Sequence, residues 1–592
     1  MTIQRPIDLP QQPPIAWGSD VAAAMLRAIG TKYVALNPGA SYRGFHDSLV
    51  NFLGDVEPTM LLCLHEDHAV SIAHGYAKAT DEPMGVVLHS NVGLMHGLMG
   101  IFNAYCDRMP MIVVGATGPV APEKRRPWID WIHTAKDQGA LLRDYAKWDD
   151  EPRSAEGIVE AFIRGKQLTT SEPKAPVYIC LDAGLQEQAV DPDNIVVPPM
   201  ERYAAAEFPC APGDTVEEVA DLLANAKAPL FLFGRGSRRQ VDWDRRVRLA
   251  EAVGASVMTS IRERCVFPTD HPLVACSPFY WLNPQAKSVV SKADVIVSFD
   301  WVDLNGLLQQ VQRRTSRTSA KIVHASLDSN LHRGWSMDYF GVAPVDYPVM
   351  ANADAFAEQL LSAIERKHGG KAKWTGRPTP TIATPEYATT AGGEIAPRDI
   401  EVALAKVRGT RKLTLAHVTI GWAGDAYHFR DPLDFLGHDG GGGLAAGPGI
   451  TIGAALALKD SGRIVVSVLG DGDLLQGITA LWTSARYGIP ALFIVSNNRS
   501  NFNDEIHQET IAKHRGRPVE NRWIGQRIDE PAIDLVKMAE AQGVQGEGPI
   551  NSIAALETAI VRGLDAVAAG KSYFIDVRVA AGYANPPLAR GE

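Results

Sequence analysis

The chain has 592 residues and a formal net charge of −10, from 58 Lys and Arg against 68 Asp and Glu. That length allows about three to five domains rather than one, and the acidic balance without a long basic block argues against nucleic acid as the main partner. Apolar residues make up 46% and charged residues 21%, ordinary globular usage that excludes a disordered scaffold.

Residues 1–16 are rich in Pro and Gln and lack an apolar h-region, and no run of about 18 apolar residues follows. Neither a signal peptide nor a membrane span is expected. Short apolar runs then alternate with longer helical patterns, the signature of βα units in parallel sheets, so the expected class is α/β. Strands are predicted at 33–36, 60–64, 85–88, 111–114 and 177–180, with a helix at 67–80 whose Ala69, Val70, Ala73, Tyr76 and Ala77 share one face. A proline-punctuated stretch at 191–212 marks the first boundary. Further strands are predicted at 229–233, 256–259, 295–299 and 321–324. The segment 367–397 reads as an extended linker rich in Gly, Lys, Pro and Thr. A last set of strands is predicted at 413–416, 463–469, 491–495 and 573–577. Three α/β domains are expected, at 1–192, 205–366 and 398–592. The six cysteines show no CxxC spacing, so neither a disulfide framework nor a thiolate zinc site is expected and a reducing cytoplasm fits.

The most specific signal lies where the strand 463–469 enters Gly470-Asp471-Gly472-Asp473, ahead of a helix expected from about Leu474, and the next strand ends in Ser496-Asn497-Asn498. Adjacent parallel strands lie about 4.8 Å apart, so Asp471 and Asn498 can meet at the carboxyl ends of two strands, where α/β folds bind ligands. Both motifs are also ordinary turn residues. Together, a carboxylate and an amide oxygen make a hard-oxygen half-shell suited to Mg²⁺, and the glycines let backbone N–H groups approach an anion. This pairing resembles the thiamine diphosphate (ThDP) enzymes, specifically the benzoylformate decarboxylase and acetolactate synthase family, whose diphosphate and metal site is a GDG followed by NN. The resemblance implies Asp471, Asn498 and the carbonyl of Ser500 as metal ligands, with Gly470 and Gly472 beside the diphosphate. Asp473 is placed with them, although the decarboxylase branch usually carries a small residue there.

The same resemblance implies a glutamate from the first domain. Glu66, in Leu62-Cys63-Leu64-His65-Glu66-Asp67-His68, stands where a strand yields to a helix. Read alone, it is a carboxylate stabilised by a helix N-terminus. In the family its equivalent hydrogen-bonds the cofactor's pyrimidine and drives formation of the C2 ylide. The H-E-D-H spacing is one residue short of the zinc-protease motif, whose histidines stand at i, i+4. Asn37-Pro38-Gly39 and Leu88-His89-Ser90-Asn91 look like the family's NPG loop and LHS segment. They imply Gly39 beside the cofactor, His89 as acid/base, and Ala40, Ser41, Ser90 and Asn91 beside the substrate. Benzoylformate decarboxylase has a serine straight after NPG; this chain has Ala40 there, and the middle-domain active-site histidine of that enzyme has no counterpart in 299–305. By the same resemblance, Gln138 and His133, in an aromatic and basic stretch, are expected as further substrate neighbours. Gly440-Gly441-Gly442-Gly443-Leu444 reads either as a flexible linker or, by the resemblance, as the loop whose Leu444 wedges under the cofactor, with Thr419 on the diphosphate.

The resemblance thus implies ThDP and Mg²⁺ as cofactors, a homodimer or homotetramer, and a small-molecule 2-oxo acid or related carbonyl substrate. The expected activity is a non-oxidative decarboxylase or carboligase working through the ylide and an enamine. Two alternatives stay open: an acetolactate synthase-like transferase condensing two 2-oxo acids, and a ThDP-dependent C–C hydrolase of a cyclic 1,2-diketone.

Overall fold

The computed structural model describes residues 6, 13–280, 282–311, 319–330, 341–369, 373–374, 385–388 and 393–582. Most of the N-terminal segment 1–16 and much of the expected linker fall outside them. Three parallel sheets organise the chain. The first contains β1 (Tyr33–Leu36), β2 (Thr59–Leu62), β3 (Met84–Val87), β4 (Met111–Thr117), β5 (Trp148–Asp150) and β6 (Pro176–Asp182), in the order β2-β1-β3-β4-β6-β5. The second contains β7 (Pro229–Phe233), β8 (Ser256–Thr259), β9 (Val295–Phe299), β10 (Lys321–Ala325) and β11 (Tyr347–Val349), ordered β11-β10-β9-β7-β8. The third contains β12 (Leu413–His417), β13 (Ile464–Gly470), β14 (Leu492–Asn497), β15 (Gln545–Ile550) and β16 (Tyr573–Arg578), ordered β12-β13-β14-β16-β15. The α/β expectation is met. The central strands read as continuous apolar runs because helices cover both faces of a parallel sheet.

Three strands escape the hydrophobic pattern. β5 and β11 are three residues each, and β15 (QGEGPI) carries two glycines, a proline and a glutamate. All three are edge strands, where few neighbours demand apolar side chains and proline is tolerated.

Two helices of the first unit and one of the third place the site. Helix α1 (Glu66–Thr80) follows β2 and is buried along nearly its whole length. Helix α2 (Ser90–Cys106) follows β3, and α3 (Ala446–Leu458) follows the glycine loop of the third unit. Helix α3 is apolar all round, as a helix enclosed in protein should be. It meets α1 through glycines: a Cβ on Gly75 would lie 2.0 Å from the Ile450 carbonyl oxygen, and one on Gly453 would lie 1.9 Å from that of Ile72. Side chains there would force the helices apart. The packing joins the first and third units into one apolar core containing Val70, Ile72, Ala73, Ile452 and Ala455, whereas the second unit keeps its own core around Phe231, Phe299 and Phe356.

Candidate active site

Asp471 is the first residue of helix α4 (Asp471–Gly477), so the expected helix begins three residues early and the GDG residues lie within its first turn. The register Gly470↔Ser496 between β13 and β14 brings both motifs to the same sheet end. The Ser500 N–H donates to Asp471 Oδ2 at 3.2 Å and to Asn498 Oδ1 at 3.0 Å. Burial pushes the Asp471 carboxyl up to about 6 against the backbone donors around it. A desolvated carboxylate beside an amide oxygen is a donor set that a hard cation stabilises. A Cβ on Gly470 would meet nothing within 4 Å, which leaves room for an anion at that turn. The residues therefore fit a Mg²⁺ diphosphate group.

Asp473 departs from its expected place. Its buried carboxylate turns away, with Oδ1 accepting the Ala445 N–H at 2.8 Å and the Gly447 N–H at 3.4 Å. Those amides begin α3, whose N-terminus favours an anion. Asp473 thus anchors the glycine loop. Within that loop Gly440 and Gly442 have φ of +62° and +72°, and a Cβ on Gly443 would lie 2.5 Å from Met99 of α2. Leu444 is 47% exposed, an apolar side chain left in the open at the end of a partly exposed glycine turn. Thr419 follows β12 half-buried, its carbonyl accepting from Trp422 at 3.0 Å.

Glu66 opens α1, with His65 before it capping the helix by accepting the Asp67 N–H at Nδ1, 3.1 Å away. Gly93, Gly97 and Gly100 form a stripe on α2 facing α1. A Cβ on Gly93 would lie 3.1 Å from Glu66 Oε1, and the Gly100 N–H donates to Asp67 Oδ1 at 3.0 Å. Within the same stripe His96 places Nδ1 3.0 Å from Glu66 Oε2. The sequence does not single out His96; its signal is the glycine stripe at i, i+4 and i+7 with a histidine set into it.

His89 precedes α2. Its Nδ1 lies 2.9 Å from Ser41 Oγ and 3.4 Å from the Ser41 N–H, and Ser41 Oγ accepts the Ser90 N–H at 3.0 Å. The Ser41 hydroxyl, already an acceptor, gives its proton to Nδ1, which assigns the His89 proton to Nε2. Gly39 is required here, since its Cβ would lie 2.3 Å from the His89 ring. Ser90 is buried at φ +38° and donates to Asn91 Oδ1 at 2.9 Å, while Ala40 is exposed. The His133 ring stands edge-on to His89 with centroids 4.7 Å apart. Gln138 does not join them: its buried amide donates to the Ala116 carbonyl at 3.0 Å and Tyr178 Oη at 2.7 Å, serving the first sheet instead.

A carboxylate and a histidine at the ends of one parallel sheet, and a hard-oxygen pair at the end of another, define an enzyme built around an anionic organic cofactor. The chain matches the thiamine pyrophosphate enzyme N-terminal TPP binding domain at residues 16–141, the central domain at 216–360 and the C-terminal TPP binding domain at 418–577. It is 25% identical over 595 residues to a probable acetolactate synthase large subunit of Methanocaldococcus jannaschii, covering 97% of this chain and 94% of the relative. It is 26% identical over 500 residues to benzoylformate decarboxylase of Pseudomonas aeruginosa, covering 80% and 84%. Its fold superposes with a TM-score of 0.75 on the thiamine diphosphate-dependent 4-hydroxybenzoylformate decarboxylase of Rhodococcus jostii RHA1, at 23% identity over 96% of this chain and all (100%) of that one. The chain belongs to the thiamine pyrophosphate enzymes and is of the decarboxylase or acetolactate synthase type. No helix among the described residues is long and apolar enough to cross a membrane.

Proposed function

We propose that the chain is a ThDP- and Mg²⁺-dependent non-oxidative decarboxylase or carboligase of a 2-oxo acid. The observation that carries this reading is the junction of Asp471, Asn498 and the Ser500 amide at adjoining strand ends, with a buried carboxylate suited to a cation. Asp471, Asn498 and the Ser500 carbonyl would hold Mg²⁺, Gly470, Gly472 and Thr419 the diphosphate, and Gly39 and Leu444 the rings. When bound, the cofactor supplies a carbon nucleophile and an electron sink for the carbon–carbon bond that breaks. Glu66 holds and returns the proton of the pyrimidine ring, and His89 delivers or accepts a proton at the substrate through Nε2. Ser41 fixes the His89 tautomer, and Ala40, Ser90 and Asn91 wall the substrate.

Because the cofactor lies between the first unit of one subunit and the third of another in this reading, a homodimer or homotetramer follows. Exposed Leu64, Met95, Met99 and Leu444, at 44%, 52%, 37% and 47%, support it, since they flank Glu66, His96 and the glycine loop. The six cysteines are all free and four are buried, in keeping with a cytoplasmic setting.

The near-full-length likeness to an acetolactate synthase subunit keeps the two-oxo-acid transferase as the second reading. Product analysis over a panel of 2-oxo acids with ThDP and Mg²⁺ separates them. CO₂ with free aldehyde or a 2-hydroxy ketone supports the proposal, and condensation of two oxo acids supports the transferase. A ring-opened acid from a cyclic 1,2-diketone without CO₂ overturns both.

A further inference from the structure

We propose that His96 is a positioning residue for Glu66, holding its carboxylate in one rotamer and sharing a proton with it. This rests on the reading of Glu66 as the group that exchanges a proton with the cofactor.

Three observations place the pair. His96 Nδ1 lies 3.0 Å from Glu66 Oε2. The Glu66 side chain is only 10% exposed, so few waters can replace that partner. The His96 ring is held from its other side by His65, whose ring stacks on it with centroids 5.0 Å apart at 20°. The carboxylate thus lies between the Gly93 backbone, which leaves space for Oε1, and a histidine that is 59% exposed but stacked on His65.

The chemistry explains why an imidazole suits this spot. With Glu66 ionised, Nδ1–H donates to the carboxylate whether the ring is neutral or charged. With Glu66 protonated, the other neutral tautomer accepts the acid proton at Nδ1. The hydrogen bond therefore survives in each state that Glu66 must visit, and the carboxylate keeps its aim while its proton moves. The other titratable groups that feel Glu66 are His65 just before it, His89 ahead of α2, and Tyr42 beyond the NPG turn. Among the described residues none of these hydrogen-bonds the Glu66 carboxylate, which leaves His96 as its direct partner.

The test compares His96→Ala, His96→Asn and Glu66→Gln in the holoenzyme. Glu66→Gln must abolish turnover with ThDP still bound; if it does not, the reading of Glu66 fails and the inference falls with it. Granted that result, His96→Ala is expected to lower kcat about 10-fold or more. KM and ThDP affinity should stay within about 2-fold, and exchange of the cofactor C2 proton should slow in parallel. His96→Asn covers the case in which the alanine variant does not fold. A readout without cofactor is the His96 imidazole nitrogen spectrum in the free protein, in which the Nδ1 signal should change in Glu66→Gln as its carboxylate partner is lost. Unchanged kcat and exchange rate in both His96 variants, with Glu66→Gln inactive, overturns the inference.

Discussion

Ser41 Oγ lies 2.9 Å from His89 Nδ1 and accepts the Ser90 N–H at 3.0 Å, so one hydroxyl fixes both the ring and the backbone beside it. The serine thus stands one residue later than in the family's NPG-Ser pattern and reaches the histidine.

If the Ser41 hydroxyl sets the His89 tautomer, Ser41→Ala leaves only the long 3.4 Å backbone N–H contact to keep the ring proton on Nε2. Turnover should fall about 10-fold, less than the 10² to 10⁴ expected for His89→Ala, with cofactor affinity intact in both. Steady-state kinetics against ThDP titration checks this, and an unchanged kcat in Ser41→Ala defeats it.

Burial, and next the neighbouring His133, hold the His89 imidazole below its ordinary value, against the attraction of Glu66. A charged His133 opposes a second charge on His89, so His133→Ala relieves that repulsion and raises the His89 value. The acid limb of kcat/KM should lie below pH 6.5 in the parent enzyme and move to higher pH in His133→Ala. A limb that stays or moves down would remove His133 from the site.

The first and second units are joined by charge. Asp81 at the end of α1 pairs with Arg238 at 2.8 Å and Arg264 at 2.9 Å. Burial alone would lift its carboxyl, but the two guanidinium groups outweigh burial and hold it well below the usual carboxylate range. A depressed folded value means that the stabilisation is complete above the unfolded value, near 3.9, and is lost as pH falls through the folded one. Asp81→Asn should therefore cost about 2 to 3 kcal/mol at neutral pH, somewhat below the full cost of breaking a buried pair. The difference between the variant and its parent should shrink below about pH 4. Denaturant unfolding at several pH values checks both.

The Asp471 and Asn498 assignment predicts that replacing either with Ala lowers Mg²⁺-dependent ThDP retention by at least about 10²-fold, more than a supporting residue would. Equilibrium dialysis with and without chelator reads this out, and unchanged retention would return the pair to ordinary turn chemistry.

What the sequence made legible follows from how local each signal is. The central strands β1, β4, β7, β9, β13 and β14 are apolar runs between turn residues, and their period needs no partner to be seen. Asp471 and Asn498 are legible because each directly follows its own strand, so sheet order alone brings them together. β15 was not legible because its pairing with β16 depends on a neighbour rather than on its own side chains. The turning of Asp473 was hidden for a similar reason, since its partners Ala445 and Gly447 are 28 and 26 residues away on another element. Gln138 likewise finds Tyr178 across the sheet. A lone histidine inside a helix, as His96 is, shows nothing of the carboxylate thirty residues before it.

Asp473 offers the sharpest distinction between a cofactor ligand and a scaffold. A carboxylate facing a diphosphate would repel it, so its removal would strengthen binding. A carboxylate that caps α3 does the opposite: without it the Ala445 and Gly447 N–H groups lose their acceptor, at a cost of about 1 kcal/mol, and the loop carrying Leu444 loosens. Buried His417 reinforces the second role, because Asp439 and Asp473 outweigh its burial and raise its value. Removing Asp473 strips that imidazolium of one of its counter-charges. Asp473→Ala should therefore weaken ThDP binding about 5-fold to 10-fold, on the order of the cap energy. Asp473→Asn keeps an oxygen for the two amides and should lose less. Calorimetric titration of both variants with ThDP and Mg²⁺ decides the matter: tighter binding by Asp473→Ala would place the carboxylate at the diphosphate after all.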